Sequence, residues 1–470
     1  MPKVDNKTAT ALLVAAALFM EILDATIITT ALPIMARDFG VPAAHLSVGI
    51  SAYLVAVTIF IPISGWAADR FGARHIFSLA IVLFVSASVL CGLSTGLYEF
   101  TAARILQGIG GAMMVPVGRL VVLRHLPKQQ IVKAMAILTW PALGAPLIGP
   151  VLGGWIAQTW HWSWIFFINI PLGLAALIFT YLLLDNEKGE YQRFDIKGFI
   201  LSGAGFGTLM AGLELLSSHP EAPLIPGALI ALGVGVIALN IRHMLRATQP
   251  LFSLGALRYR TFRATMVGGS IIRIALSSAP FLIPLMLQLG MGYSPIEAGV
   301  VLLWLFAGNL VIKPATTWIM NQFGFKQVLI YNALLIAAGF VALALCTTQT
   351  PGWLLGLILF SSGMTRSMHL TVLNTLGFAD IPQHKIRDAN TLSAVVMQMT
   401  RGLGITVGAL ALTVATLLLA GSADAPALID FQLTMGMMAI IALLSIVDSI
   451  TLPNQAGRSI LKKSGSSAAS

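Results

Sequence analysis

Two carboxylates stand in a stretch of sequence that otherwise tolerates almost no charge. Glu21 and Asp24 interrupt the apolar run Ala11 to Ala31, and their separation of three residues sets them on one face of a helix. In hydrocarbon a charge costs from about 2.5 kcal/mol upward, so an ionisable residue there needs a partner, water or a function. Two close carboxylates repel when both are ionised, and burial penalises charge, which makes the pair a candidate carrier of one exchangeable proton. Arg104 falls at similar depth in another apolar run, with Gln107 one turn further on. Two readings stand: a guanidinium that promotes proton release from the acid, or a structural ion pair. A second set of buried charges is all basic. Arg273, Arg366 and Arg401 fall near the middle of their apolar runs, His369 is one turn from Arg366, and no acid shares those runs. Either they face Glu21 and Asp24 across a cavity, or they await an anionic group, or they are internal partners and water-cavity lining.

These residues need a membrane scaffold. Of the 470 residues, 57% are hydrophobic and 10% charged, more apolar surface than a soluble domain can cover. A span needs about twenty apolar residues, and fourteen such stretches can be marked, the first Ala11 to Ala31 and the last Ala427 to Leu452. The runs are continuous, without the alternation of a barrel strand, so the expected fold class is an all-α polytopic membrane protein with 14 transmembrane helices. With the N-terminus inside, 21 of the 28 Lys and Arg fall on the cytoplasmic side, one (Arg37) outside and six within the spans. That bias places both termini in the cytoplasm, as expected for a multi-pass protein of a bacterial inner membrane. The formal net charge of +10 is thus a topology signal and implies no nucleic-acid partner. Cys91 and Cys346 lie in apolar runs and argue for neither a disulfide nor a metal site.

The linkers Asp185 to Lys197 and Arg246 to Thr261 carry the densest charge. They divide the chain into an expected six-helix bundle over 1–184, a two-helix insert with its linkers over 185–261, a second six-helix bundle over 262–452, and a Ser-rich tail over 453–470 that is expected to be disordered. Gly65 to Arg74 (GWAADRFGAR) is echoed by Thr317 to Lys326 (TWIMNQFGFK), as expected if the two sixes are repeats with a substrate site between them near mid-membrane.

Several motifs carry a resemblance. LDATIITTALP (Leu23 to Pro33), the loop residues Gly65, Asp69, Arg70, Gly72 and Arg74, RILQGIGGA (Arg104 to Ala112), GPVLGG (Gly149 to Gly154) and WSWIFFINIPLG (Trp162 to Gly173) follow one another along the chain. Together they resemble the major facilitator superfamily in its fourteen-helix drug:proton antiporter branch, over nearly the whole length. The resemblance implies the major facilitator fold, six helices plus two inserted plus six, and proton-driven export of small molecules by alternating access. Asp24 matches the family's membrane-embedded acid, with Glu21 and Arg104 beside it as the proton-coupling group. Gln107, Arg273, Arg366, His369 and Arg401 are candidate cavity residues. Asp69, Arg70 and Arg74 are expected to latch a gate at the cytoplasmic surface, or simply to form a topogenic loop. Gly144, Gly149, Pro150, Gly153 and Gly154 make up the antiporter motif, a close-packed pivot or ordinary helix contact. Two positions depart from the pattern: Ala145 stands where a glycine is usual, and Asn321 and Gln322 replace the charged pair in the second loop.

The arginines of the second half cut against a purely cationic cargo and raise an anionic or zwitterionic metabolite or siderophore as the alternative. No Walker loop, nucleophile turn or metal-spaced His/Cys/carboxylate set occurs, so no enzymatic activity, cofactor or metal is expected. A channel or a non-transporting sensor is the remaining alternative class. The expected partners are a small-molecule substrate, protons and membrane lipids, with the protein acting as a monomer.

Overall fold

The computed structural model describes residues 6–124, 128–186, 188, 194–382, 385–419, 426–453 and 456–457, with the side chains of 6–8, 123–137, 139–143 and 387 outside the description. Of the basic residues that set the orientation, Lys3, Lys7, Arg124, Lys128, Lys133, Arg193, Arg387, Arg458, Lys462 and Lys463 fall outside it wholly or by their side chains, as does most of the tail. The described residues form helices and no strand.

In chain order the α-helices are α1 (Asn6–Ile27), α2 (Leu32–Phe39), α3 (Ser47–Phe71), α4 (Ala73–Leu93), α5 (Leu97–Arg124), α6 (Lys128–Thr159), α7 (Trp164–Phe167), α8 (Asn169–Leu183), α9 (Ile196–Ser218) and α10 (Leu224–Arg246). They continue with α11 (Arg260–Arg263), α12 (Gly269–Leu285), α13 (Pro295–Val311), α14 (Thr316–Phe323), α15 (Phe325–Ala344), α16 (Gly352–Gly377), α17 (Ile386–Leu418) and α18 (Leu428–Thr451). Twelve helical segments among the described residues are long and apolar enough to cross a membrane, against the fourteen spans expected. The two expected spans not among the twelve coincide with α6 and α16, both long helices. α16 is diluted by polar residues such as Thr365, Arg366 and His369, whereas much of α6 has side chains outside the description.

The chain divides into two compact units. The first comprises 1–251, 283–300 and 423–425; the second comprises 252–282, 301–422 and 426–470. In the first, α3, α4 and α5 pack together and α1 lies against α5, α6 and α8. The insert helices α9 and α10 pair through glycines: a Cβ on Gly233 would press on the Leu209 backbone at 2.6 Å, and one on Gly212 on the Ile230 backbone nitrogen at 2.8 Å. Asn240 also donates to Ser202 Oγ at 2.8 Å, and Ser47 Oγ on α3 donates to Glu214 Oε1 on α9 at 2.9 Å. The outer face of α10 leaves Leu232, Leu239 and Leu245 exposed, as a lipid-facing helix should.

In the second unit α15 packs on α16 and α18, and α17 on α18. The segment leading into α12 is a π-helical turn, Ala264–Gly268. The two echoed loops turn alike. Gly72 between α3 and α4 has φ 96° and ψ 139°, and Gly324 between α14 and α15 has φ 75° and ψ 162°. This backbone region is open only to glycine, so the repeated Phe-Gly pair specifies the same corner twice.

Candidate functional site

Asp24 sits near the end of α1, just before the helix tightens into a 3-10 turn at Ile28–Thr30. Its carboxylate is 2% exposed, and Arg104 and Gln107 on α5 are 0% exposed. Arg104 Nη1 donates to Asp24 Oδ2 at 2.7 Å, and Gln107 Nε2 donates to Oδ1 at 2.8 Å. Asn169 Nδ2, at the first residue of α8, donates to the same Oδ1 at 2.9 Å and to Ser88 Oγ at 2.8 Å. Ser88 on α4 passes its own proton to the Phe166 carbonyl at 3.1 Å. Gln107 Oε1 in turn accepts from Arg104 Nη1 at 2.5 Å. Three donors from α5 and α8 thus converge on one carboxylate of α1, with Ser88 on α4 bridging Gln107 and Asn169 behind them, so the buried ion pair is held by hydrogen bonds as well as by charge.

Glu21 lies one turn before Asp24 but is not part of that ion pair. Tyr53 separates them: the Arg104 guanidinium carbon lies 4.4 Å from the centre of the Tyr53 ring, and the Tyr53 hydroxyl donates to Glu21 Oε1 at 3.4 Å. Gly111 makes room, since a Cβ there would stand 2.8 Å from the hydroxyl oxygen. Glu21 is half-buried, with its Oε2 enclosed and its Oε1 on Tyr53, so the two acids occupy different settings, one on a guanidinium and one on a phenol.

The glycines of α6 fix the position of α1. A Cβ on Gly153 would overlap the Ile27 carbonyl oxygen, and one on Gly149 would overlap Thr26 Oγ1. Thr30 Oγ1 donates to the Pro150 carbonyl at 2.9 Å. Gly154 approaches the backbone of Pro295 with the same closeness, whereas Gly144 faces open space. Ala145, the departure from the motif, is 0% exposed and accommodated. In the last turns of α3 Gly65 is exposed and Arg70 lies over the Trp66 ring at 5.4 Å, and at the start of α4 Arg74 lies over the Tyr181 ring at 5.8 Å. Gly72 must be glycine for its positive φ, and a Cβ there would also strike the Asn186 amide. Asp69 is partly buried at the end of the same helix.

In the second unit the arginines hydrogen-bond to neighbouring main-chain and amide oxygens. Arg273 Nη1 donates to the Thr265 carbonyl in the π-turn at 2.6 Å, and Nη2 to Asn374 Oδ1 at 3.4 Å. Arg366 Nη2 donates to the Leu276 carbonyl. The cause is covalent: the residue four after Leu276 is Pro280, which has no N–H, so this carbonyl lacks its helical partner and the guanidinium supplies one. Arg401 is exposed, with Nη1 3.3 Å from Gln398 Oε1. His369 is 1% exposed and does not meet Arg366 through any hydrogen bond. Gln107, expected among cavity residues, instead belongs to the Asp24 cluster.

Sequence reasoning missed Ser88, Asn169 and Tyr53. Asn169 lay within the quoted motif Trp162 to Gly173 and was the one polar residue in its apolar core, a usable signal. Ser88 and Tyr53 carried none.

With this geometry in hand, comparison with known proteins identifies the class. The profile described as Major Facilitator Superfamily matches residues 14–409, and the chain belongs to that family of membrane transporters. It is 39% identical over 402 residues, 85% of each chain, to MdtD of Escherichia coli (strain K12), whose name assigns it provisionally to multidrug resistance. Among solved structures it is similar to a POT family transporter in complex with 5-aminolevulinic acid, with a TM-score of 0.69, 15% identity and 96% of each chain covered. It is likewise similar to a D-xylose–proton symporter, with a TM-score of 0.66, 15% identity, and 96% of this chain and 99% of that one covered. At these identities the structures attest the fold alone.

Proposed function

We propose that this transporter exports small molecules across the bacterial inner membrane in exchange for protons, as a monomer with fourteen membrane helices, six plus two plus six, and both termini in the cytoplasm. The observation that carries this reading is the sealed Asp24 cluster. An ionised Asp24 is held by three donors from α5 and α8, one of them charged. Adding a proton cancels the charge-assisted bond to Arg104 and turns one acceptor oxygen into a donor, so the links from α1 to α5 and α8 weaken together. Arg104 favours the return of the proton because its own buried charge then regains a counter-ion. Glu21, half-buried and one turn away, is the second acid on the same helix and the group we assign to a cationic cargo. Loading of proton and of cargo then compete through one helix, which is the requirement for exchange, and the Gly72 corner and its basic residues act as the gate. The similarity to MdtD supports drugs or metabolites as cargo.

A second reading gives the cargo a negative charge. Arg273 and Arg366 have no carboxylate partner among the described residues, so the second unit carries uncompensated positive charge that suits a carboxylate-bearing metabolite or a zwitterion. Both readings are tested by proton release from purified protein on addition of a panel of cations, anions and zwitterions. Release by cations alone supports the first reading, and release by anions or zwitterions the second. No release by any class, together with proton-independent flux that does not saturate, would replace both with a channel.

A further inference from the structure

The π-turn before α12, the middle of α16 and the last turns of α18 enclose a pocket of about 10 Å³, lined by Thr265, Gly268, His369, Ser445, Asp448 and Ser449 among others. That is room for about one water molecule. The polar groups around it have an unusual balance. Ser445 Oγ donates to the Ala442 carbonyl at 2.6 Å, Ser449 Oγ to the Ser445 carbonyl at 3.4 Å, and Thr265 Oγ1 to the Thr261 carbonyl at 3.0 Å. Their protons are committed, so only lone pairs remain for the pocket. His369 is 1% exposed, and its Nδ1 has no hydrogen-bond partner among the described residues. The Asp448 carboxylate is partly buried and lies so close to Gly268 that a Cβ there would overlap it. It too makes no hydrogen bond or ion pair among the described residues.

An enclosure rich in acceptors, with a carboxylate on one wall and an imidazole on another, requires a donor. The charged and titratable groups on the surrounding elements narrow the choice. Arg273 stands beside it on α12, close enough that a Cβ on Gly269 would lie 3.0 Å from its Nη1. Arg260 on α11 donates to the Thr451 carbonyl at the end of α18 at 2.7 Å. Arg263 follows on α11, Lys326 and Tyr331 lie on α15, Arg366 on α16, and Asp388 and Arg401 on α17. A hard cation such as sodium would be repelled by Arg273 and Arg260 and poorly served by the imidazole. A proton feels the same repulsion but bonds covalently to the carboxylate and leaves a neutral acid that supplies the missing donor.

We propose that Asp448 and His369, bridged by one water molecule, form a second proton-binding site in the second unit, separate from the Asp24 cluster. Its existence does not depend on the transport reading, although its use as a second coupling site rests on that reading. The balance is simple: the proton bonds to an Asp448 oxygen, the acid O–H donates to the water, and the water donates to the imidazole nitrogen; release reverses these steps with the proton leaving to bulk water.

Infrared difference spectroscopy of the purified full-length protein, titrated with acid in sodium-free buffer, reads protonated carboxyl groups directly. The background variant Asp24→Asn removes the first site. In that background one component of the carboxylic acid band should be lost on Asp448→Asn in the difference between the two proteins, and that component should have its midpoint moved by about one pH unit, a tenfold change in proton affinity, on His369→Gln. A band unchanged by Asp448→Asn, or a midpoint unmoved by His369→Gln, overturns the proposal. So does displacement of the band by sodium at constant pH, which would mark a metal site. If Asp448→Asn cannot be purified as a folded protein, the His369→Gln midpoint decides alone. Failure of Asp24→Asn to impair transport would refute the exchange mechanism while leaving this band, and this site, in place.

Discussion

Buried arginines occur in both units of this protein and are stabilised in two different ways. In the first unit Arg104 rests on the Asp24 carboxylate, 2.7 Å away. In the second, Arg273 and Arg366 rest on main-chain carbonyls, Thr265 in a π-turn and Leu276 opposite Pro280. A carboxylate can take up a proton and release its partner, whereas a carbonyl has no proton chemistry near neutral pH. The first arrangement can therefore switch and the second cannot: Arg273 and Arg366 are fixed charges that also repair irregular backbone. The same residue type rests on a titratable group in one place and on main-chain carbonyls in the other, and only the partner distinguishes them.

The comparison breaks most decisively at Asp24. Asp24→Asn should reduce proton-driven flux in reconstituted vesicles to the level of vesicles without protein. It keeps a carbonyl oxygen for Arg104 but removes the charge, so Arg104 becomes a fixed cation like Arg366. Loss of stability by up to about 3–5 kcal/mol accompanies the unpaired buried charge. The double variant Asp24→Asn, Arg104→Gln should recover most of the stability, read as thermal midpoint, and none of the transport. Recovery of transport in the double variant would show that the pair is structural.

Switching also requires that α1 be held in register while its partner bonds change, and the glycines of α6 do this. Gly153→Ala would place a methyl group against the Ile27 carbonyl, a backbone atom that cannot swing aside, and should cost about 3 kcal/mol. Gly144→Ala faces open space and should stay within about 0.5 kcal/mol of wild type. Thermal unfolding in detergent separates the two, and equal effects would remove the role assigned to α6.

The Asp24 cluster was half legible in the sequence. Charge in an apolar run is visible at once, so Asp24, Glu21 and Arg104 stood out, and the loop and glycine motifs gave the family. Which acid meets the arginine was not legible, because Glu21 and Asp24 share a helix face and only the intervening Tyr53 ring decides between them. The partners of Arg273 and Arg366 were hidden for a different reason. Pattern reading pairs charge with charge, but these side chains pair with main-chain carbonyls, one in a π-turn and one that a proline has left without its helical donor. Pro280 four residues after Leu276 was the available clue. Of the fourteen apolar runs, twelve coincide with helices long and apolar enough to span a membrane among the described residues, and the other two coincide with the long helices α6 and α16.

The clamp role of Arg366 can be tested against its covalent cause. Arg366→Met removes the donor, leaves the Leu276 carbonyl without a partner, and should cost about 2 kcal/mol. Pro280→Ala restores a backbone N–H four residues on, so in the Arg366→Met background it should recover at least half of that loss. A double-mutant cycle on thermal stability reads the coupling. Simple additivity of the two substitutions would mean that the guanidinium does not serve that carbonyl.

The smallest expected effect supplies a control outside the membrane. Asp195 caps α9: its carboxylate accepts from Gly198 N at 2.9 Å, from Leu251 N at 3.1 Å, and lies 2.9 Å from His243 Nε2. Burial pushes this acid up, but the hydrogen bonds from Gly198, His243 and Leu251 outweigh it and hold the group below its ordinary value. Because the folded state favours the ionised form, the stabilisation is complete above the unfolded value of about 3.9 and is lost as pH falls through the lower folded value. Asp195→Ala should therefore cost about 1 kcal/mol at neutral pH, the size of an N-cap, and the gap to wild type should close in acid below about pH 4. Asp195→Asn keeps the acceptor and should lose only the acid-sensitive part. High salt should weaken the Asp195 contribution, which is near the surface, and leave the sealed Asp24 pair unaffected. If salt acted on both alike, the Asp24 cluster would be open to water, and the contrast between a sealed switch and an exposed cap would fail.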